Sequence, residues 1–333
     1  MSQPPPHPVD PAGESADPVP ASMHLGRGSR WLSVLLVGLV AVFLVVAVVG
    51  NAQAVRADLA SLSWVDLLAS GVAGALGVLS SGMAWRVVLR GLGAPVAVHP
   101  AMTMFAAGQL GKYVPGAVWT AAIQAELGAR RGIARGTMLV SYLVALLIAV
   151  ATGGVMGLLA LLGGDQGRGP ASVMVLVAVA IGVALGRPGW LNRGLAWAFA
   201  RAGRVAPDIA LPGRDLAAAM AWTLVCWVFL GAHAWLLARP LGAGVGDLAP
   251  TIGAFALAFV AGLVVVPLPA GAGVREGVLV AALAGSIGAP AALTVSLVSR
   301  LVLLVVDVVL ALVLGVPGAA RSVRARRSAP INE

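Results

Sequence analysis

The sequence predicts an all-α integral membrane protein of about eight transmembrane helices, with one or two re-entrant or broken helices. Three observations carry this. Apolar residues make up 59% of the chain and charged residues 11%, for a mean hydropathy of +0.96, far outside soluble composition. Apolar runs long enough to span a bilayer recur along the chain. The arginines gather in the short loops on one side of those runs.

The same composition narrows the classes of function. A net charge of +9 and a pI near 11.4 would point to nucleic acid in a soluble chain. Here the positive residues lie between apolar runs and act as an orientation signal, so no nucleic-acid partner is expected. The single cysteine, Cys226, sits beside Trp227 in an apolar run. It can form no disulfide framework and belongs to no metal-ligand spacing, and no metal or other cofactor is expected.

In chain order, residues 1–29 are rich in proline, with little apolar surface to bury, and read as a disordered cytoplasmic tail. The run 31–49 follows Arg27 and Arg30, and Ala52-Gln53-Ala54 after it imitates a signal-peptidase site. An h-region of ten residues would cover about 15 Å, whereas this run reaches about 28 Å, so it reads as an uncleaved first transmembrane helix. Further spans fall at 65–89, 137–162, 171–186, 217–238, 250–266 and 289–315, within a polytopic domain of residues 30–316. Residues 317–333 form a basic cytoplasmic tail.

With the N-terminus inside, one side receives Arg86, Arg90, Arg130, Arg131, Arg135, Arg187, Arg193, Arg201, Arg204 and Arg214, together with the arginines of both tails. The other side receives Arg56, Arg168 and Arg239. This asymmetry requires that 101–124 dip in and return, while 268–287 crosses once. Both termini are then cytoplasmic, in a bacterial-type inner membrane.

Those two segments are the informative ones. The first reads Gly108-Gln109-Leu110-Gly111-Lys112-Tyr113-Val114-Pro115-Gly116-Ala117-Val118-Trp119, and the second Pro267-Leu268-Pro269-Ala270-Gly271-Ala272-Gly273-Val274-Arg275-Glu276-Gly277. Proline lacks a backbone donor and glycine admits unusual dihedrals, so backbone groups are left to be satisfied by protein, water or a ligand around a cavity. A helix starting after such a break aims its positive end at that cavity, where Lys112 or Arg275 would add charge for an anionic group. Lys112 is the only lysine among 22 basic residues. The blander readings are a lysine that snorkels to the interface, and Arg275-Glu276 as a self-neutralising pair at a helix start.

In the last span Arg300 and Asp307 share a helix face about 10 Å apart along the axis, too far for a direct ion pair. Each needs another partner: a neighbouring helix or, for Arg300, Glu276 or a lipid phosphate. His233, alone in an apolar run, reads as a hydrogen-bonded packing histidine rather than a proton carrier.

Gly111-Lys112-Tyr113-Val114-Pro115-Gly116 with Trp119, and Pro269-Ala270-Gly271-Ala272-Gly273-Val274-Arg275-Glu276-Gly277 with Arg300 downstream, resemble the lysylphosphatidylglycerol synthase transmembrane family. The resemblance spans roughly residues 31–316. That family includes the flippase half of the multiple peptide resistance factor and many stand-alone flippase-like proteins. Two departures stand out. Many members begin the helix after the first basic loop with a glutamate, whereas here the stretch reads Ser141-Tyr142. No aminoacyl-transferase domain follows the membrane region, so synthesis of lysylphosphatidylglycerol by this chain alone is not expected.

The resemblance and the broken segments together imply a flippase-like protein that binds and translocates an anionic lipid or lipid-linked precursor. Its site would comprise Lys112, Tyr113, Pro115, Gly116, Pro269, Gly271, Gly273, Arg275, Glu276, Arg300 and Asp307, with no catalytic residue. Membrane lipids are the expected partners, joined by a possible partner synthase or glycosyltransferase. No Walker loop appears, so movement would be facilitated, or driven by an ion gradient or by downstream consumption. The alternatives are an enzyme or subunit for glycosyl or acyl transfer in lipid-linked glycan assembly, with Glu276 or Asp307 as acid or base, and a scaffold for a synthase.

Overall fold

The structure is a computed structural model that describes residues 49–50, 52–113, 118–162, 189, 193, 211–264 and 273–327. The expected first span at 31–49, the span at 171–186 and both distal tails lie largely outside these residues. So do Val114, Pro115, Gly116, Pro269 and Gly271 of the two motifs.

The described residues are almost wholly helical: α1 (Ala52–Ser61), α2 (Trp64–Gly91), α3 (Val98–Gln109), α4 (Trp119–Ala129), α5 (Arg135–Leu162), α6 (Gly213–Ala238), α7 (Leu248–Val264), α8 (Val274–Ile287) and α9 (Ala289–Arg327). A 3-10 turn, Leu110–Tyr113, follows α3. Helix α1 was not expected from the sequence. Its mixed polarity gives no spanning signal, and it is placed by packing on α9, where Thr294 donates to Asp58 at 3.0 Å.

Local signals set the boundaries of α2. Ser63 Oγ accepts the Asp66 amide at 3.2 Å, and the Asp66 carboxylate accepts the Ser63 amide at 3.0 Å, a reciprocal capping box. At the other end the Gly93 and Ala94 amides return to the Arg90 and Leu89 carbonyls. At 28 residues, α2 and α5 are each about 42 Å long, more than the roughly 30 Å of hydrocarbon.

Among the described residues five helices are long and apolar enough to cross a membrane: α2, α5, α6, α7 and α9. Their outward faces are apolar, with Trp64, Leu68, Leu301, Val305 and Leu312 all more than half exposed. An apolar exterior over a packed interior fits lipid rather than water as the surrounding solvent.

The core is divided among three clusters. Trp227 and Phe255 centre one between α6, α7, α8 and α9, Val88 and Ile148 a second between α2, α5 and α6, and Trp85 and Met104 a third between α2, α3 and α9. Because lipid tails are as apolar as leucine, polar cross-links add to packing in such interfaces, at about 0.6 kcal/mol each. Trp227 Nε1 donates to Thr152 Oγ1 at 3.0 Å, joining α6 to α5. His233, fully buried, lies 2.7 Å from Ser70 Oγ and 2.9 Å from Ser299 Oγ, joining α6 to α2 and α9. That is the packing role read for it in the sequence.

Arg90 at the end of α2 pairs with Asp215 at the start of α6 at 2.6 Å. Trp85 of α2 donates to Ser141 near the start of α5 at 3.0 Å. Arg86, Arg90, Arg130, Arg131, Arg135 and Arg214 therefore share one end of the bundle. Asp58, Arg239 and the start of α9 lie at the other.

Candidate functional site

Short helices from opposite ends of the bundle converge on α9. From the arginine-rich end α3 runs in, the 3-10 turn forms a tip, and α4 runs back. Gly108 lies against the Gln124 side chain and Gly111 against Thr120, so the two arms are antiparallel. A Cβ on Gly111 would sit 2.6 Å from the Thr120 nitrogen and 2.7 Å from the Trp119 carbonyl carbon, which only glycine avoids. The arms, of 12 and 11 residues, reach about 16–18 Å, less than a full crossing.

From the other end comes α8, whose first residues lie innermost. Gly273, at φ +83°, turns the chain into it. The Glu276 carboxylate accepts the Gly273 amide, placing negative charge at the positive end of the helix.

Arg275 and Glu276 are not a self-neutralising pair. Neighbouring residues on a helix diverge by about 100°, so the two side chains leave α8 in different directions. Glu276, 3% exposed, pairs with Arg300 of α9. Arg275 turns to α7, with its guanidinium 4.7 Å from the centroid of Phe255 and 5.9 Å from that of Phe259. Among the described residues it has no carboxylate partner.

Seven residues further along α9, Asp307 Oδ2 receives Lys112 Nζ at 2.6 Å and the Tyr113 hydroxyl at 2.6 Å. Lys112 also donates to Gln109 Oε1 at 3.2 Å. The ammonium thus points inward to a carboxylate, which sets aside the reading of Lys112 as a residue that snorkels to the interface. The other carboxylate oxygen, Asp307 Oδ1, is buried and has no hydrogen-bond partner among the described residues. Arg300 stands about 16 Å from the start of α9 and Asp307 about 27 Å, so each takes its partner from a different short helix.

Lys112 and Arg275 both border a cavity of about 90 Å³. At an allowance of about 10–15 Å³ for one water, it has room for a group of several heavy atoms. Lys112, Gln109 and Arg275 supply its charged and amide wall, and Ser81 and Thr223 line it too, while Trp227 and Phe259 are apolar wall. Lys112 and Arg275, from the two separate motifs, thus border one space. Charges near it cancel in two pairs, and Arg275 is left over among the described residues. No three His, Cys, Asp or Glu side chains come together there, or elsewhere among the described residues, as a metal site would need.

Gln109, Phe255 and Phe259 were not singled out from the sequence. The two phenylalanines lie one helical turn apart on an apolar helix, a spacing shared with ordinary core residues, and only the position of Arg275 gives them a second role. Ser141, which the resemblance marked as a departure, is fully buried and accepts the Trp85 indole N–H.

Fold and site together define a multi-pass α-helical membrane protein with a charged cavity among its helices. The profile of the lysylphosphatidylglycerol synthase TM region matches residues 30–311, and the chain belongs to that family. No curated protein matches the chain.

Proposed function

We propose that this protein binds the headgroup of an anionic lipid or lipid-linked precursor in the cavity and carries it between leaflets. The observation that carries the reading is Arg275. It borders the cavity, is stacked on Phe255 and Phe259, and lacks a carboxylate partner among the described residues. A half-buried guanidinium with no bonded carboxylate, on which Asp307 acts only from a distance, is incompletely neutralised, and an anionic group in the cavity would supply the bonded counter-ion. A guanidinium held on aromatic faces keeps its fork free for two parallel hydrogen bonds to a phosphate. Membership of the lysylphosphatidylglycerol synthase TM family supports a lipid as the source of that group.

In this reading α3 and α4 form a re-entrant hairpin entering from the cytoplasmic side, both termini are cytoplasmic, and the membrane is a bacterial inner membrane. The arginines at one end of the bundle favour that orientation. A synthase or glycosyltransferase supplying the lipid would be the partner. The ion pairs of Glu276 and Asp307 count against the transferase reading, because each carboxylate already holds a cation.

The test is reconstitution into liposomes containing headgroup-labelled phosphatidylglycerol or phosphatidylcholine, following binding and leaflet exposure. Phosphatidylglycerol should be bound and moved above the level of empty liposomes. Arg275→Ala should weaken binding by roughly 10- to 150-fold, from about 1.5–3 kcal/mol for one charge-assisted contact. If neither lipid is bound or moved, or Arg275→Ala equals the wild type, the reading is wrong.

A further inference from the structure

The Lys112–Asp307 pair divides its two groups between different environments. The Lys112 side chain is one-third exposed and borders the cavity, whereas the Asp307 side chain is fully buried behind it. The ammonium has three donors, of which one serves Asp307 and another Gln109. The carboxylate is unevenly served. Two donors meet Oδ2, and none among the described residues meets Oδ1. A buried carboxylate oxygen without a donor is an unfavourable arrangement that persists only while the opposite oxygen is strongly paired.

We propose that Asp307 is an exchangeable counter-ion: an anionic group entering the cavity takes Lys112 from it, and Asp307 takes up one proton. This rests on the anionic-lipid reading of the same cavity and adds to it a coupling to protons. The step is a transfer of one partner. Lys112 exchanges its bond to Oδ2 for a bond to the anionic oxygen of the ligand, a solvent proton forms an O–H bond at Oδ1, and Oδ2 keeps the Tyr113 hydroxyl. No covalent bond breaks within the protein.

The proton is required because of what else faces Asp307. Tyr113 from the hairpin tip offers only a neutral donor. Arg275 of α8 would be engaged by the same ligand. Arg300, about 10 Å away along the same helix, is held by Glu276. His233 of α6 is enclosed by Ser70 and Ser299. On α2, Arg86 bonds the Val96 carbonyl and Arg90 bonds Asp215 at the far end, and on α3 His99 is exposed at the helix start. On α1, Asp58 bonds Thr294 at the opposite end. Once Lys112 leaves, no cation among the described residues is bonded to the carboxylate; Arg275 acts on it only from a distance and is taken up by the ligand, so the buried carboxylate is neutralised by protonation.

The experiment titrates the wild-type protein, in phosphatidylcholine nanodiscs, with dihexanoyl phosphatidylglycerol by calorimetry. It uses pH 6, 7 and 8 in buffers of different ionisation enthalpy, which gives the protons taken up per lipid bound. Uptake of about one proton is expected, with affinity falling by up to tenfold for each unit rise in pH. Asp307→Asn should take up none and bind about tenfold or more tightly than the wild type at pH 8. Wild-type binding without proton uptake at every pH would overturn the inference and leave the anionic-lipid site standing, as would equal uptake by Asp307→Asn. Should the asparagine variant not fold, the wild-type proton count decides alone. Absence of wild-type binding at all three pH values would overturn the anionic-lipid reading itself and this inference with it.

Discussion

Lys112 Nζ and Asp307 Oδ2 stand 2.6 Å apart, one on a four-residue 3-10 turn and the other on the long last helix. The pair fixes the tip of the α3–α4 hairpin against α9. Breaking a buried pair by removing one partner costs about 3–5 kcal/mol, and the partial exposure of Lys112 lowers this to about 2–3 kcal/mol. Lys112→Met and Asp307→Met should each lower thermal stability in detergent by that amount, with the double substitution costing less than the sum. Strict additivity in the double-mutant cycle would show that the two side chains do not interact in the folded protein.

Glu276 does two things at the start of α8: it accepts the Gly273 amide and pairs with Arg300. Glu276→Gln keeps an acceptor for the amide and loses the ionic attraction, whereas Glu276→Ala loses both. The alanine variant should be less stable by a further 0.5–2 kcal/mol or so, the usual range for a lost N-terminal cap. Equal melting temperatures for the two variants would remove the capping role.

Phe255 and Phe259 hold Arg275 by its guanidinium face. Replacing Phe255 by leucine keeps most of the packing volume but removes the ring. Binding of phosphatidylglycerol should weaken by roughly 2- to 30-fold, corresponding to about 0.5–2 kcal/mol of cation–π attraction. An unchanged affinity with normal folding would mean that the rings only pack.

His233 joins three helices through Ser70 and Ser299 and does not border the cavity. His233→Ala should cost about 2–4 kcal/mol through lost hydrogen bonds and unfilled volume. Lipid affinity of the folded fraction should match the wild type. A selective loss of affinity at normal stability would instead bring His233 into the functional site.

The orientation can be read in intact cells, in a Cys226→Ala background. Val245→Cys, at a position 78% exposed between α6 and α7, should react with an impermeant maleimide from outside. Arg131→Cys, at the arginine-rich end, should react only after permeabilisation. The reverse pattern would invert the proposed topology.

Much of this architecture was written in local signals. The spans now seen as α2, α5, α6, α7 and α9 were legible because each is a long apolar run ended by arginine, glycine or proline, and a bilayer admits few other solutions for such a run. The two broken segments were equally visible, since Gly-Lys-Tyr and Gly-Val-Arg-Glu interrupt apolar stretches that would otherwise continue. Helix periodicity also placed Arg300 and Asp307 on one face and showed that they do not pair with each other.

The partners of those charges were decided only by the tertiary structure. That Asp307 takes Lys112 and Tyr113, that Glu276 takes Arg300 rather than its neighbour Arg275, and that Arg275 turns to Phe255 and Phe259 all depend on how distant helices pack. Sequence spacing governs contacts within a helix, where the geometry repeats every 3.6 residues or so. Contacts between helices follow from crossing geometry and side-chain shape, summed over many small terms that no short motif records. The sequence by itself therefore determined a membrane-spanning helical chain with charges at two breaks. Packing alone determined that those breaks meet at one cavity, with Arg275 as its unbalanced charge among the described residues.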